Sequence, residues 1–378
     1  MKIFHIADLH LGKKVHEFSM FDEQKHILEQ ILDHIYERNA DALLISGDIY
    51  DKAVPSTEAV HLLDQFLTAL SEREIATYMI SGNHDSAQRL DFASRLLAEN
   101  KIHIAGIFQK DVLHVSQKDD YGEVTFTLMP FLKPVQVASA FGLDKTFSYE
   151  EAMAFVLDSV SINKNNRNVL LAHQFVTWRK EIVRSDSETY SVGGIDEMDA
   201  SIFEAFDYVA LGHLHAPQRV GYDHIRYAGS PLKYSFSEIR QKKGITVIDI
   251  REKGNITYNF IPLSPIRQMR EIKGPLQGLL ESGRMDEGRY DYIRAILTDN
   301  EALLDPIGQL RSVYPNLMTL EMEREGELKN EILSLETKVF HPDELFFNFF
   351  EKQNKKELSH EQRTIVDKIW SGLAGDGE

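Results

Sequence analysis

The sequence predicts an α/β fold in which a two-sheet β-sandwich is flanked by helices, followed by a small α+β appendage and a C-terminal helical tail. Three observations lead there. Short apolar runs bounded by Gly or turn residues recur along the first two-thirds of the chain, as expected of strands buried on both faces. Segments with apolar residues at helical spacing lie between them. A strand-rich stretch follows, from Val124 to Leu128 and from Gly244 to Ile248, and supplies a second sheet.

The runs end in a common way. Ile6-Ala7 leads into Asp8 and His10, Leu43-Leu44-Ile45 into Ser46-Gly47-Asp48, and Tyr78-Met79-Ile80 into Gly82-Asn83-His84-Asp85. Val169 to Ala172 leads into His173, and Tyr208 to Leu211 into Gly212-His213-Leu214-His215. Ligand-type residues at the C-terminal ends of strands converge on one rim of a sheet, where α/β folds place their sites. The helical segments are Ile27 to Tyr36, Val60 to Leu70 (opened by Pro55-Ser56-Thr57-Glu58), and Leu90, Ala93, Leu96 and Leu97. Alternating strand and helix in this order gives a layered α/β domain over residues 1–262.

Polar stretches at Ser116–Glu123 and Ser161–Asn168 read as surface turns or loops. Pro262, Pro265, Gly274 and Pro275 break the periodicity and mark a boundary. Beyond it, a strand is expected over Tyr290–Leu297, a helix opened by Asp305-Pro306, and a second strand over Leu317–Met322, within a domain spanning 263–338. The tail, 339–378, carries Leu345, Phe346, Phe347, Phe349 and Phe350, then a capping box at Ser359-His360-Glu361-Gln362 ahead of Ile365, Val366, Ile369 and Trp370. Helices this apolar need something to cover them.

Composition bounds the function. The chain has 378 residues and no cysteine, which excludes disulfides and thiolate sites and suits a reducing cytoplasm. No apolar stretch approaches the roughly 20 residues needed to span a bilayer, and a strand entered by Ile3 leaves no room for a signal peptide. The formal charge is −17, which argues against broad affinity for a polyanion. Two divalent cations at the rim would locally offset that charge.

The rim supplies Asp8, His10, Asp48, Asn83, His173, His213 and His215. Mixed oxygen and imidazole donors suit manganese, iron or zinc better than calcium or magnesium. A carboxylate such as Asp48 can bridge two cations about 3.5 to 4 Å apart, the arrangement that clamps both oxygens of a phosphoryl displacement and makes hydroxide available near neutral pH. His84, beside Asn83, is placed to act off the metals, stabilising phosphate charge or protonating a leaving oxygen, with Asp85 as a second catalytic candidate holding its ring in one tautomer. Any one of these endings alone is an ordinary turn or a surface histidine; five in one chain order are not. The other ten histidines, His5, His16, His26 and His114 among them, read as core or surface residues.

These motifs, with AspLeuHis at 8–10, GlyAspIleTyrAsp at 47–51, GlyAsnHisAsp at 82–85, His173 and GlyHisLeuHis at 212–215, resemble the calcineurin-like metallophosphoesterase superfamily. Tyr190 to Gly194 and Ala228 to Glu238 resemble, within it, bacterial DNA-repair nuclease subunits. The resemblance is strong over residues 1–260 and implies the metallophosphoesterase fold. It implies one cation on Asp8, His10, Asp48 and His215, the other on Asp48, Asn83, His173 and His213, both most often manganese, with His84 catalytic. It further implies exonuclease activity on duplex DNA ends and endonuclease activity on single strands and hairpins, in repair, recombination and replication. An ATPase partner, a homodimer, a capping domain after Pro275 and docking of the tail on the partner's coiled coil are implied too. Segments 57–71 and 86–99 are the position-based choice for the dimer, and their stripes serve equally as ordinary core. Asp51 stands where some relatives carry a second catalytic histidine. Lys13, Lys14, Arg179, Lys180, Lys242 and Lys243 are the candidates for phosphate contacts. A protein phosphatase of the superfamily would carry Asp-Arg-Gly after the second motif and Glu after Asn-His; this chain has Asp51-Lys52-Ala53 and Asp85.

Overall fold

The computed structural model describes residues 1–160, 162–179, 182–188, 196–301 and 303–323, together with 358, 359, 362, 363 and 366. The apolar runs are strands. Ala42–Ser46, Ala76–Ile80, Arg167–His173 and Tyr208–Gly212 are buried at every position, the signature of strands covered on both faces.

Two six-stranded sheets form. In the first, Lys2–Ile6, Ala42–Ser46, Ala76–Ile80 and Ile102–Ala105 run parallel, and Gly244–Ile250 and Ile256–Pro262 extend the edge beside Lys2–Ile6 antiparallel. In the second, Tyr222–Tyr227, Tyr208–Gly212, Arg167–His173 and Gly122–Met129 run parallel between two antiparallel edges. Successive side chains of each strand point to opposite faces. Leu44, Tyr78, Phe126, Leu171 and Ala210 therefore fill the space between the sheets. Leu43, Ile45 and Met79 face the other way, onto Ile31 and Phe66 of the flanking helices. On the far side, Leu170 and Leu211 pack with Met153 and Val156. Each such Leu, Ile, Val, Phe or Met side chain, fully buried, contributes roughly 1.5–3 kcal/mol.

Helix Thr57–Glu72 opens as expected, with Ser56 Oγ accepting from the Ala59 N–H at 3.3 Å. Its stripe, Leu62, Leu63, Phe66, Leu67 and Leu70, lies in the core of its own chain. The segment read as one helix over 86–99 is two, Ala87–Asp91 and Ser94–Ala98, broken where Ala93 takes a left-handed conformation, φ 62°. Only Leu90 of its stripe is buried, while Phe92 and Leu96 are 81% and 67% exposed. The polar stretch 116–123 is also not a loop: Leu113–Asp119 and Gly122–Met129 form a hairpin, and its edge strand reads as polar because one face meets solvent.

After Pro262 a three-stranded parallel sheet forms from Met269–Gly274, Tyr292–Leu297 and Leu317–Met322. Helices Leu276–Gly283 and Pro306–Arg311 cover it, the second capped by Asp305, whose carboxylate accepts from the Gly308 N–H. It has its own core of Leu279, Ile293, Leu297, Leu310 and Tyr314, while Met269, Tyr292 and Met318 join the main core. In the tail, Ser359 Oγ accepts from the Gln362 N–H and Gln362 Oε1 from the Ser359 N–H, the expected capping box. The rest of the tail lies outside the described residues. No helix among the described residues is long and apolar enough to cross a membrane.

Candidate metal centre

Because the ligand-bearing strands within each sheet run parallel, their C-terminal ends share a rim, and the two sheets bring their rims together there. Asp8 N–H donates to Gly47 O and His10 N–H to Asp48 O, tying the first two endings side by side. The His213 N–H donates to Asp8 Oδ1 at 2.9 Å, which joins the second sheet to the first. Three glycines permit this approach. A Cβ would lie 2.3 Å from His173 Nδ1 at Gly47, 2.1 Å from Asp48 Oδ1 at Gly82, and 1.8 Å from Ser46 O at Gly212. Asp8, His10, Asp48 and His213 all adopt positive φ, of 54°, 45°, 48° and 108°. Backbone strain held at a cluster of polar residues is a mark of functional geometry.

All seven candidate donors converge. Asp48 sits at the centre, its Oδ2 3.4 Å from His173 Nε2 and 3.7 Å from His10 Nε2. Asn83 Oδ1 lies 3.0 Å from His173 Nε2 and 3.1 Å from His213 Nδ1. His10 Nε2 and His215 Nε2 face each other at 3.1 Å. Three overlapping donor groups lie within 4.8 Å: Asp8, His10 and His215; Asp8, Asp48 and His173; and His10, Asp48 and His84. Donor atoms bound to one cation at about 2.0–2.2 Å would be separated by about these distances. Imidazole nitrogens turned toward one another and a central carboxylate fit divalent cations well.

His84 occupies the mouth. Its Nε2 lies 4.0 Å from Asp48 Oδ2 and its Nδ1 3.0 Å from the Asp51 carbonyl oxygen, while its backbone N–H donates to Asp48 Oδ1. Asp85 does not orient this ring. Its carboxylate accepts the backbone N–H groups of Ile49, Tyr50 and Gly82, clamping the loop after the second strand. Three neighbouring orphan donors outcompete a single ring nitrogen. The Asp51 carbonyl, not Asp85, fixes the tautomer. Asp51 itself pairs with Lys13 Nζ at 2.7 Å. Lys243 is not a phosphate contact either: it is buried, with Nζ on Glu238 at 2.6 Å and on the carbonyl of His215 at 2.7 Å.

Behind the donors lies a layer that the motifs do not reveal. The Ser46 carbonyl takes His173 Nδ1 at 2.8 Å, leaving Nε2 toward the centre. Ser187 Oγ lies 2.7 Å from His215 Nδ1 and donates to Glu238 Oε1, and Glu188 accepts the His215 N–H at 2.6 Å. Such partners fix ring orientation and raise ligand basicity. Glu238 closes the stretch Ala228–Glu238, and that position was its only signal in the sequence.

Burial and mutual charge shape the electrostatics. Burial pushes the Asp8 carboxyl up to about 7, against the pull of His173 and His215. Asp48, also buried, is nonetheless held below the usual carboxylate range by His173, whose own ring is raised to about 9 because Asp48 outweighs burial. Burial drives His213 down to about 3 and His10 well below its ordinary value. Neutral imidazoles are what a metal requires, and a bound cation would draw Asp8 back to the carboxylate.

The calcineurin-like phosphoesterase family model matches residues 1–217, the span that carries every donor. The chain belongs to that family. A second model, the Type 5 capsule protein repressor C-terminal domain, matches residues 265–354. Among curated relatives, the D subunit of the nuclease SbcCD from Staphylococcus epidermidis is 32% identical over 375 residues, covering 98% of each chain. Its counterpart in Staphylococcus saprophyticus subsp. saprophyticus is 30% identical over 390 residues and the whole of both chains. A crystal structure of a dimetal phosphatase from Danio rerio covers 69% of this chain and 96% of its own at 11% identity, with a TM-score of 0.41. In a calcineurin-like phosphoesterase the donor rim is the place for a divalent metal, and this chain presents a His- and Asp-rich one.

Proposed function

We propose that this chain is a two-metal DNA nuclease, the phosphodiester-cleaving subunit of a complex with an SbcC-type ATPase. The observation that carries the reading is the convergence of all seven donors around Asp48 in a chain that matches SbcCD D subunits end to end. One cation, most readily manganese, would be held by Asp8, His10, Asp48 and His215, and the other by Asp48, Asn83, His173 and His213. When bound, the pair supplies Lewis acidity, lowering the pKa of water and neutralising charge on the phosphate.

The side chains do the rest. Asp48 and Asn83, held by the turns at Gly47 and Gly82, keep the donor geometry fixed, so little reorganisation accompanies reaction. His84, with Nδ1 toward the Asp51 carbonyl, directs Nε2 toward the donor cluster, 4.0 Å from Asp48 Oδ2. Protonated, it donates Nε2–H to a phosphate oxygen or to the leaving oxygen. We infer exonuclease action on duplex ends and endonuclease action on single-stranded or hairpin DNA, in the cytoplasm and on the nucleoid. The small sheet after Met269 serves as a capping domain, the tail from 339 docks on the ATPase partner, and two copies form a homodimer. In support of that dimer, Val60 on helix Thr57–Glu72 and Phe92 and Leu96 in the segment 86–99 are exposed apolar side chains.

The test incubates the full chain with end-labelled duplex and hairpin DNA in manganese, magnesium or chelator, with and without the ATPase subunit, beside Asp48→Ala and His84→Ala. Manganese-dependent cleavage lost in both variants is the expected result. Intact DNA in every condition, alongside hydrolysis of a small phosphodiester, would sink the nuclease assignment and leave the metal centre standing.

A further inference from the structure

Between the main sheets and the small C-terminal sheet lies a cavity of about 650 Å³, distinct from the metal centre. That volume is in the usual range for small-molecule sites, about 300–1,000 Å³. Its charged lining is Lys233, Arg240, Lys242, Lys243 and Arg267, with no Asp or Glu among the lining residues. This is the reverse of the chain as a whole, where 59 acidic side chains outnumber 42 basic ones.

The five cations are not equivalent. Lys243 and Arg267 are committed, to Glu238 and Glu23, and Lys233 donates to the Ile239 carbonyl. Arg240 and Lys242 are exposed and make no ion pair among the described residues. They stand at the rim as two unspent charges. The lining also holds an aromatic ring, Phe260, 40% exposed and seated against the backbone of Gly244, where a Cβ would lie 2.7 Å from its Cζ. A cationic rim beside an exposed ring is the combination that takes a phosphate and a stacked base together.

We propose that this cleft binds a nucleotide unit, its phosphate on Arg240 and Lys242 and its base on Phe260. The choice of nucleotide among flat anions rests on the nuclease reading; the presence of an anion site does not. The unit comes either from a single DNA strand passing from the metal centre or from a free nucleotide. Lys243 forms part of the wall that separates this cleft from the metal centre, since its Nζ also holds the carbonyl of His215.

Binding is measured on the full chain in chelator, so that the metal centre contributes nothing. The probes are a fluorescent deoxynucleoside monophosphate, an unlabelled single-stranded oligonucleotide of about 12 residues, the corresponding nucleoside, and inorganic phosphate. The Arg240→Glu, Lys242→Glu double variant is expected to weaken the phosphate-bearing probes by about tenfold or more and to flatten their salt dependence. Phe260→Ala should weaken the nucleotide and leave inorganic phosphate unchanged. Loss confined to the oligonucleotide identifies a strand path, and loss of the monophosphate as well identifies a free-nucleotide site. If neither variant alters any probe while manganese-dependent DNA cleavage persists, the cleft proposal is overturned and the nuclease reading stands. If the variants lose binding but no preparation cuts DNA, the cleft stands and the nuclease reading fails.

Discussion

At the scale of single residues, the groups behind the candidate donors set how well those donors could hold a metal. Glu238 is fully buried and meets Lys243 on one oxygen and Ser187 on the other, with His215 3.5 Å away. Glu238→Gln keeps the shape but strips the charge that balances Lys243 and orients His215. Manganese affinity should fall about 10- to 100-fold, as for other outer-layer substitutions; calorimetric titration at wild-type affinity would show that the carboxylate only fills space. His84 and Asp85, neighbours in sequence, should separate cleanly. His84→Ala should leave the melting temperature near wild type and cut DNA cleavage by about 10²- to 10⁴-fold. Asp85→Ala orphans three backbone N–H groups, each at about 1–3 kcal/mol, so it should be seen first in calorimetry as lost stability. His5 gives a pH signature. Its ring, with Nδ1 2.8 Å from Tyr208 OH and Nε2 3.1 Å from Ser46 Oγ, is pushed by burial from 6.5 to about 3. The folded pKa is depressed, so the unfolded chain binds the proton first. The neutral ring's contribution is therefore whole above about pH 6.5 and is lost as pH falls toward 3. Thermal midpoints measured across that window should fall less steeply for His5→Asn than for wild type.

At the scale of elements, the strand endings work only because two sheets touch at their rims. Gly212 is the tightest such point, where an added Cβ would lie 1.8 Å from the Ser46 carbonyl that also holds His173. Gly212→Ala should force the sheets apart, costing more than about 2 kcal/mol of stability and most of the metal affinity. Retention of both would mean that the rim yields more than close packing allows. Much of this was legible in the sequence, because strands covered on both faces are written as unbroken apolar runs and their ends are marked by Gly with Asp, Asn or His. The break between Phe92 and Ala93 was not, since alanine is the strongest helix former and nothing local marks its left-handed turn. The 113–119 strand hid for the opposite reason: a solvated edge carries loop-like residues. Glu238 and Glu188 reach His215 across 23 and 27 positions of chain, contacts that no local pattern encodes. The exposed Phe92 and Leu96 lead to a further expectation. If two copies pair there, Phe92→Glu with Leu96→Glu should yield a monomer by light scattering at unchanged melting temperature, and an unaltered dimer would move the interface elsewhere.

At the scale of the whole molecule, the charge of −17 and a DNA substrate pull in opposite directions. A protein steered to DNA by a basic field binds more slowly as salt rises. On the nuclease reading the distant field repels the duplex, and the proposed metal centre and Arg240–Lys242 rim would attract it at short range. Screening acts first on the longer-range part, because the Debye length shrinks from about 30 Å at 0.01 M to about 10 Å at 0.1 M salt. Over that range the repulsion is removed before the short contacts weaken. The association rate of the manganese-loaded chain with duplex DNA should therefore stay level or rise between these concentrations in stopped-flow fluorescence, while the dissociation rate climbs. A steep fall in association rate would mean that a local basic surface governs the encounter despite the net charge. Adding the ATPase subunit to the same experiment separates the two sources of attraction: a fall that appears only in the complex assigns the steering field to the partner and leaves this chain with the cutting site.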